Sequence, residues 1–123
     1  MNVVDSSGWL EYFANGKNAS FFGPAIEDTG RLVVPTLSLF EVFKRILVQK
    51  GEPPALQAAA LMHQGRVVEL DATLALAAAR LSVDARMPLA DRVMLATANA
   101  FGATFWTQDA DFQGQANVKY VPA

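Results

Sequence analysis

Short β-branched runs alternate with longer stretches whose apolar residues recur at helical spacing, and Gly or Pro falls at most of the joints. Strands are predicted at Val3-Val4, Leu32-Val33-Val34, Val67-Val68-Glu69-Leu70, Phe105-Trp106-Thr107 and Val118-Lys119-Tyr120-Val121. Helices are predicted over 9–14, with Ser6 or Ser7 as cap and Gly16 as stop, and over 19–28, where Pro24 marks a first turn or a break. Further helices run from Pro35-Thr36 to about Gln49, from Pro53-Pro54 to His63, over the alanine-rich 71–86, and from Met87-Pro88 to Gly102. Strands alternating with helices predict an α/β fold: an open, mostly parallel sheet of four to five strands flanked by helices on both faces. The expected organisation is one domain over 1–123, with no linker and no internal repeat.

Composition narrows the class. Hydrophobic residues make up 52% and charged residues 18% of the chain, against a typical charged share of about 25%, so part of the surface is expected to be covered by a partner or by a second copy in a homodimer. The chain has no cysteine, which excludes disulfides, thiolate chemistry and Cys-built zinc sites. No basic segment followed by an apolar run opens the chain, and no apolar run approaches the roughly 20 residues of a membrane span. A soluble cytoplasmic protein without membrane contact is the expectation. The net charge of −2 gives no general attraction to nucleic acid. Lys44, Arg45, Lys50, Arg80, Arg86 and Arg92 nevertheless remain available for local phosphate contacts.

Four carboxylates stand out against this apolar background. Asp5 ends the first strand, Glu41 interrupts Leu39-Phe40-Glu41-Val42-Phe43, Asp91 lies near the start of the helix after Pro88, and Asp109 follows the fourth strand. In open α/β sheets, sites gather outside the carboxyl ends of the strands, so all four can reach one cleft. Acids crowded there would repel unless a cation held them, and Mg²⁺ or Mn²⁺ prefers oxygen ligands. Each acid also has an ordinary reading. Asp5 can cap a helix, Asp91 can sit favourably at a helix N-terminus, Glu41 can pair with Arg45 four residues on, and Asp109 and Asp111 can form turns.

The combination carries a resemblance. Val3-Val4-Asp5-Ser6-Ser7, Leu39-Phe40-Glu41-Val42, Pro88-Leu89-Ala90-Asp91-Arg92-Val93-Met94-Leu95-Ala96-Thr97-Ala98 and Thr107-Gln108-Asp109-Ala110-Asp111-Phe112 occur in the order found in PIN-domain ribonucleases. More narrowly, the chain resembles the toxin partner of VapBC-type toxin–antitoxin pairs along its whole length. The resemblance implies that Asp5, Glu41, Asp91 and Asp109 form an acidic Mg²⁺ site, Mn²⁺ being the alternative, with Asp5 and Asp91 as direct ligands. Ser6 and Thr107 would orient carboxylates or water, while Asp111 doubles as a structural residue. It also implies an RNA substrate, whose phosphodiester is hydrolysed by metal-assisted chemistry, and a cognate antitoxin.

The remaining conspicuous residues have simpler readings. His63, the only histidine, reads as a helix-end or solvent-facing residue. Trp9 and Phe13, four apart, read as core, as does Trp106 in its strand, whereas Tyr12 and Phe22 are candidates for a groove that accepts an antitoxin segment. Arg45 and Arg92 either compensate Glu41 and Asp91 or capture substrate phosphate. A phosphoacceptor receiver domain is the competing α/β reading, but it calls for a carboxylate doublet where Asp5 is followed by Ser6-Ser7. A non-catalytic partner-binding module is the third.

Overall fold

The computed structural model describes all 123 residues. In chain order the elements are β1 (Asn2–Val4), α1 (Ser6–Phe13), α2 (Ala19–Glu27), β2 (Val33–Pro35), α3 (Thr36–Lys50), α4 (Glu52–Met62), β3 (Arg66–Val68), α5 (Ala72–Ala79), α6 (Leu89–Ala100), β4 (Thr104–Thr107) and β5 (Val118–Tyr120). Short 3-10 turns at Thr29–Arg31 and Ala110–Phe112 precede β2 and follow β4. Every strand pairing is parallel. One ladder has the order β1-β4-β5 and the other joins β2 to β3; a single parallel bridge between Asn2 and Leu32 connects them. The strands therefore lie in the order β3-β2-β1-β4-β5, with their carboxyl ends along one edge.

The alternation of side chains along each strand divides the core in two. Val4 and Val34 pack on one face with Trp9, Phe22, Ile26, Val42, Ile46 and Met62 from α1 to α4. Val3, Val33 and Phe105 pack on the other with Met94, Leu95 and Ala98 of α6. Both faces are covered, which is why these strands read as unbroken apolar runs. Gly8 lets the first face close. A Cβ there would lie 2.6 Å from the Phe22 ring and 2.9 Å from a Val4 methyl, so α1 approaches α2 and β1 only without one.

Several local expectations are corrected. Ser6 and Ser7 do not cap α1; they lie in its first turn, and Asp5 occupies the N-cap position without a side-chain capping bond. Pro24 neither starts nor breaks α2, which continues through it. The lost backbone donor is offset by burial of Phe22, Ala25 and Ile26 in the same helix. The alanine-rich helix stops at Ala79 instead of reaching Arg86. There Asp84 competes for the backbone: its side chain accepts from the Arg86 N–H at 2.9 Å, and its carbonyl accepts from the Met87 N–H. Phe22 is fully buried and cannot line a surface groove. Trp9 is also buried, and Phe13 stacks on it with ring centroids 5.7 Å apart. Tyr12 stays partly exposed and donates its hydroxyl to Glu27 at 2.9 Å. Trp106 packs against the first core face while its indole N–H donates to Asn2.

Candidate functional site

A cavity of about 520 Å³ opens at the carboxyl edge of the sheet. Asp5 reaches it from the end of β1, Asp109 from the end of β4, Glu41 from the second turn of α3 and Asp91 from the first turn of α6. Ser6 shares the same wall. The parallel order explains the meeting: β1 and β4 are neighbours in register, so their ends deliver two acids side by side, while α3, which follows β2, and α6, which precedes β4, supply the others.

The Asp5 side is tightly bonded. Thr107, fully buried beneath the cavity, donates its hydroxyl to Asp5 Oδ2 at 2.9 Å and accepts the Asp109 backbone N–H at 2.9 Å. One hydroxyl thus ties the ends of β1 and β4 together. The Ser7 hydroxyl also donates to Asp5, at 3.3 Å. Ser6 donates to Glu41 Oε1 at 2.7 Å, linking α1 to α3. Glu41 makes no ion pair with Arg45, so the pairing expected four residues apart on α3 is absent. Asp109 Oδ1 accepts the Asp111 N–H at 2.9 Å, so it shapes the turn after β4 as well as facing the cavity.

Charge is the unusual feature. The sole ion pair in the molecule is Arg86 with Asp84, outside this cavity. Burial pushes the Asp5 carboxyl above its ordinary value, partly offset by bonds from Thr107, the Ser6 backbone and Ser7, and the Asp109 charge adds to the rise. Asp91 is pushed up to about 7, first by burial and then by the charges of Asp5, Asp109, Glu41 and Asp111. No hydrogen bond offsets this at Asp91. A half-buried carboxylate facing four others without a donor is costly unless a proton or a cation joins it.

The donor set is all oxygen, which suits a hard divalent cation. No three of the side chains are drawn closely enough to ligate one ion directly as they stand. That spacing is compatible with an ion that keeps part of its water shell, as Mg²⁺ does.

A family model for the PIN domain matches residues 3–117. The chain belongs to the PIN-domain family. No curated protein matches it in sequence. Among solved structures, this PIN domain is similar to a chain of a toxin–antitoxin complex from Klebsiella pneumoniae, with a TM-score of 0.80 and 15% identity over 97% of this chain and 96% of that one. It is also similar to Mycobacterium tuberculosis VapC20, a sarcin–ricin loop cleaving toxin, with a TM-score of 0.78 and 20% identity over 99% and 100% of the two chains. A third similar structure is VapBC2 from Rickettsia felis, solved with a promoter DNA fragment, at a TM-score of 0.70 and 10% identity over 98% and 97%. These likenesses establish a shared fold.

Beside the acidic cavity, the PIN domain carries a second one of about 570 Å³ between α1, α3 and α4. Leu10, Phe13, Ile46, Ala58 and Leu61 give it apolar walls, and Ser7, Leu10, Arg45 and Gln108 belong to both cavities. Gln108 does not stand out in the sequence. Its side chain accepts from Asn18 at 2.9 Å, and Asn18 also donates to the Pro122 carbonyl. Its position between Thr107 and Asp109 is the only signal the sequence offers. Arg92 does not pair with Asp91; it donates to the Ala78 and Asp84 carbonyls and so holds the α5–α6 loop. His63 is exposed at the end of α4, with Nδ1 2.8 Å from the Ala59 carbonyl. No helix is long and apolar enough to cross a membrane.

Proposed function

We propose that this PIN domain is a divalent-cation-dependent ribonuclease, acting as the toxin of a toxin–antitoxin pair. The observation that carries the reading is the group of acids Asp5, Glu41, Asp91 and Asp109 around one cavity with no cationic side chain paired to them. The toxins among its structural neighbours support the biological half. Asp5 and Asp91 would be the direct ligands of Mg²⁺ or Mn²⁺, with Glu41 and Asp109 completing the pocket. When bound, the ion supplies an activated water and charge stabilisation at a phosphodiester.

The chain's own residues set the stage for that chemistry. Thr107 holds Asp5 in one orientation and fixes the start of the turn that carries Asp109. Ser6 restrains Glu41. Asp91, with no bond of its own, would be free to turn toward a cation and would give up its proton on holding one. The apolar cavity would receive a segment of the antitoxin, which from there reaches the acidic cavity across Arg45 and Gln108. Phe40, Val48, Leu76 and Leu89, all exposed, offer apolar surface to a second copy, and sedimentation would report the resulting homodimer.

A partner-binding PIN module without catalysis is the second reading, favoured by the open spacing of the carboxylates. Incubating total RNA with the protein in Mg²⁺, in Mn²⁺ and in chelator separates the two. Cleavage that needs the metal and disappears in Asp5→Asn is expected. Growth arrest on induction, relieved by the product of an adjoining reading frame and absent in Asp5→Asn, would join the chemistry to the toxin role. Metal-independent cleavage, or none, would refute it.

A further inference from the structure

We propose that Arg45 and Arg86 are phosphate contacts for the substrate strand, holding it from two flanks as it crosses the acidic cavity. The inference rests on the ribonuclease reading above. A strand of phosphates approaching Asp5, Glu41, Asp91 and Asp109 meets like charge, so it needs cations at the edges of that cavity even when a metal ion occupies the middle. Of the basic residues that the sequence offers for this purpose, the structure retires Arg92, whose guanidinium is committed to the Ala78 and Asp84 carbonyls.

Arg45 lies one helical turn after Glu41 on α3. It lines the acidic cavity, is exposed, and has no carboxylate within ion-pair distance. Its charge is therefore uncommitted beside the place where a phosphate would sit.

Arg86 stands on a different flank, in the loop before α6. It lines a separate cavity of about 360 Å³ with Asp84, Met87 and Asp111. Asp111 links it to the acidic one: its N–H donates to Asp109 Oδ1 at 2.9 Å, and its charge acts on both Asp91 and Arg86. The loop is anchored from below: Met87 is buried, and Arg92 grips the Asp84 carbonyl at 3.2 Å. The guanidinium itself is 90% exposed and meets Asp84, 56% exposed, through two bonds, Nε to Oδ1 at 3.3 Å and Nη2 to Oδ2 at 3.0 Å. Even with two bonds, a pair this exposed is screened by solvent and salt, so a competing anion can displace its carboxylate. A phosphate, which matches the planar guanidinium with two oxygens, can take the place of Asp84. The pair therefore works as a latch that holds Arg86 until a strand arrives.

The test uses two measurements on the full chain. In an Asp5→Asn background with Mg²⁺, fluorescence anisotropy follows binding of a short single-stranded oligoribonucleotide of mixed sequence across a salt series. Adding Arg45→Gln or Arg86→Gln is expected to weaken binding and to lower the slope of log K against log salt by about 0.7 for each phosphate no longer neutralised. Arg31→Gln, an equal charge change on the turn before β2 at the far edge of the sheet, is expected to leave the slope unchanged. Asp84→Asn is expected to tighten binding by releasing the latch. In the second measurement, cleavage by proteins that retain Asp5, the two arginine variants are expected to raise KM with kcat nearly unchanged. Parental slopes and KM in both variants, with the unmutated chain still cleaving RNA, would overturn the phosphate track and leave the ribonuclease reading intact. So would an equal loss in Arg31→Gln, and weaker binding in Asp84→Asn would remove the latch. If the unmutated chain cleaves no RNA in either metal, both proposals fall together.

Discussion

Asp5 and Asp91 face the same cavity, and both carboxyls are raised above their ordinary values, yet they are built differently. Asp5 is almost wholly buried at the junction of β1 and β4, where two hydroxyls donate to it. Asp91 is half-buried on the first turn of α6, receives no donor, and carries the repulsion of its neighbours unrelieved. One acid is held in place by the fold, and the other is left to be satisfied from outside. A site that must bind a cation reversibly gains from both: rigid placement limits the ordering cost of binding, while an unsatisfied carboxylate makes binding favourable.

The comparison breaks first under catalysis. Asp5→Asn and Asp91→Asn are each expected to reduce metal-dependent RNA cleavage by about a thousandfold or more, since several kcal/mol of charge stabilisation are lost with a ligand. Retained activity in either, measured on folded protein, would remove that residue from the metal site.

Stability should then separate the pair. The Asp91 carboxyl is raised from 3.8 to about 7, so between those values the folded metal-free chain holds a proton that the unfolded chain has released. Stability from this group is greatest below about pH 4, declines as pH rises, and is fully lost above about pH 7. Thermal melts in chelator should show that decline. Asp91→Asn should flatten it and melt higher than the unmutated chain at pH 8, and Mg²⁺ should restore stability only when Asp91 is present. Asp5→Asn should give no comparable gain, because it disturbs the bonds from Thr107 and Ser7.

Rigidity on the Asp5 side can be tested away from the acids. Gly8→Ala forces a methyl into the Phe22 ring and Val4 and is expected to cost about 1–3 kcal/mol in denaturant melts. Thr107→Val, which leaves the Asp109 N–H and Asp5 short of a partner, is expected to cost a similar or slightly smaller amount, about 1–3 kcal/mol. On the Asp91 side the smallest effect is foreseen. Arg92→Ala removes two bonds from an exposed loop and should cost about 1–2 kcal/mol, with faster amide exchange across 80–88. An equal response on the two sides would erase the contrast.

Much of this architecture was legible in the sequence. The strands are β-branched and flanked by Gly, Pro or Asp, and the helices are marked by Pro and Gly boundaries and by alanine and leucine content, so the α/β order and the placing of Asp5 and Asp109 at strand ends followed from local rules. The helix after Asp71, shorter than its composition predicts, shows where those rules stop. Alanine and leucine favour a helix to Arg86, but the turn built by Asp84 and fixed by Arg92 ends it at Ala79. That decision depends on a residue in another helix. The groove assigned to Phe22 failed for a related reason, since whether an aromatic faces the core depends on how Gly8 lets two helices meet. Ser6 and Ser7 looked like caps because their spacing to α1 is right, whereas their hydroxyls are drawn to Glu41, 35 residues away, and to Asp5. Gln108 and the flanking position of Arg86 carry no sequence pattern, because both arise from loops meeting in space.

Thr107 has a consequence for where protons can travel. Its oxygen accepts the Asp109 N–H, and its single hydrogen is directed at Asp5 Oδ2. The Ser7 hydroxyl points at the same oxygen from 3.3 Å, so both side-chain donors to Asp5 meet at Oδ2 and occupy its two lone-pair directions. Oδ1 is left as the oxygen of Asp5 without a hydroxyl donor. On the proposed reading, proton and cation would compete for that same oxygen of Asp5, and two hydroxyls that touch neither, those of Thr107 and Ser7, would set the polarity.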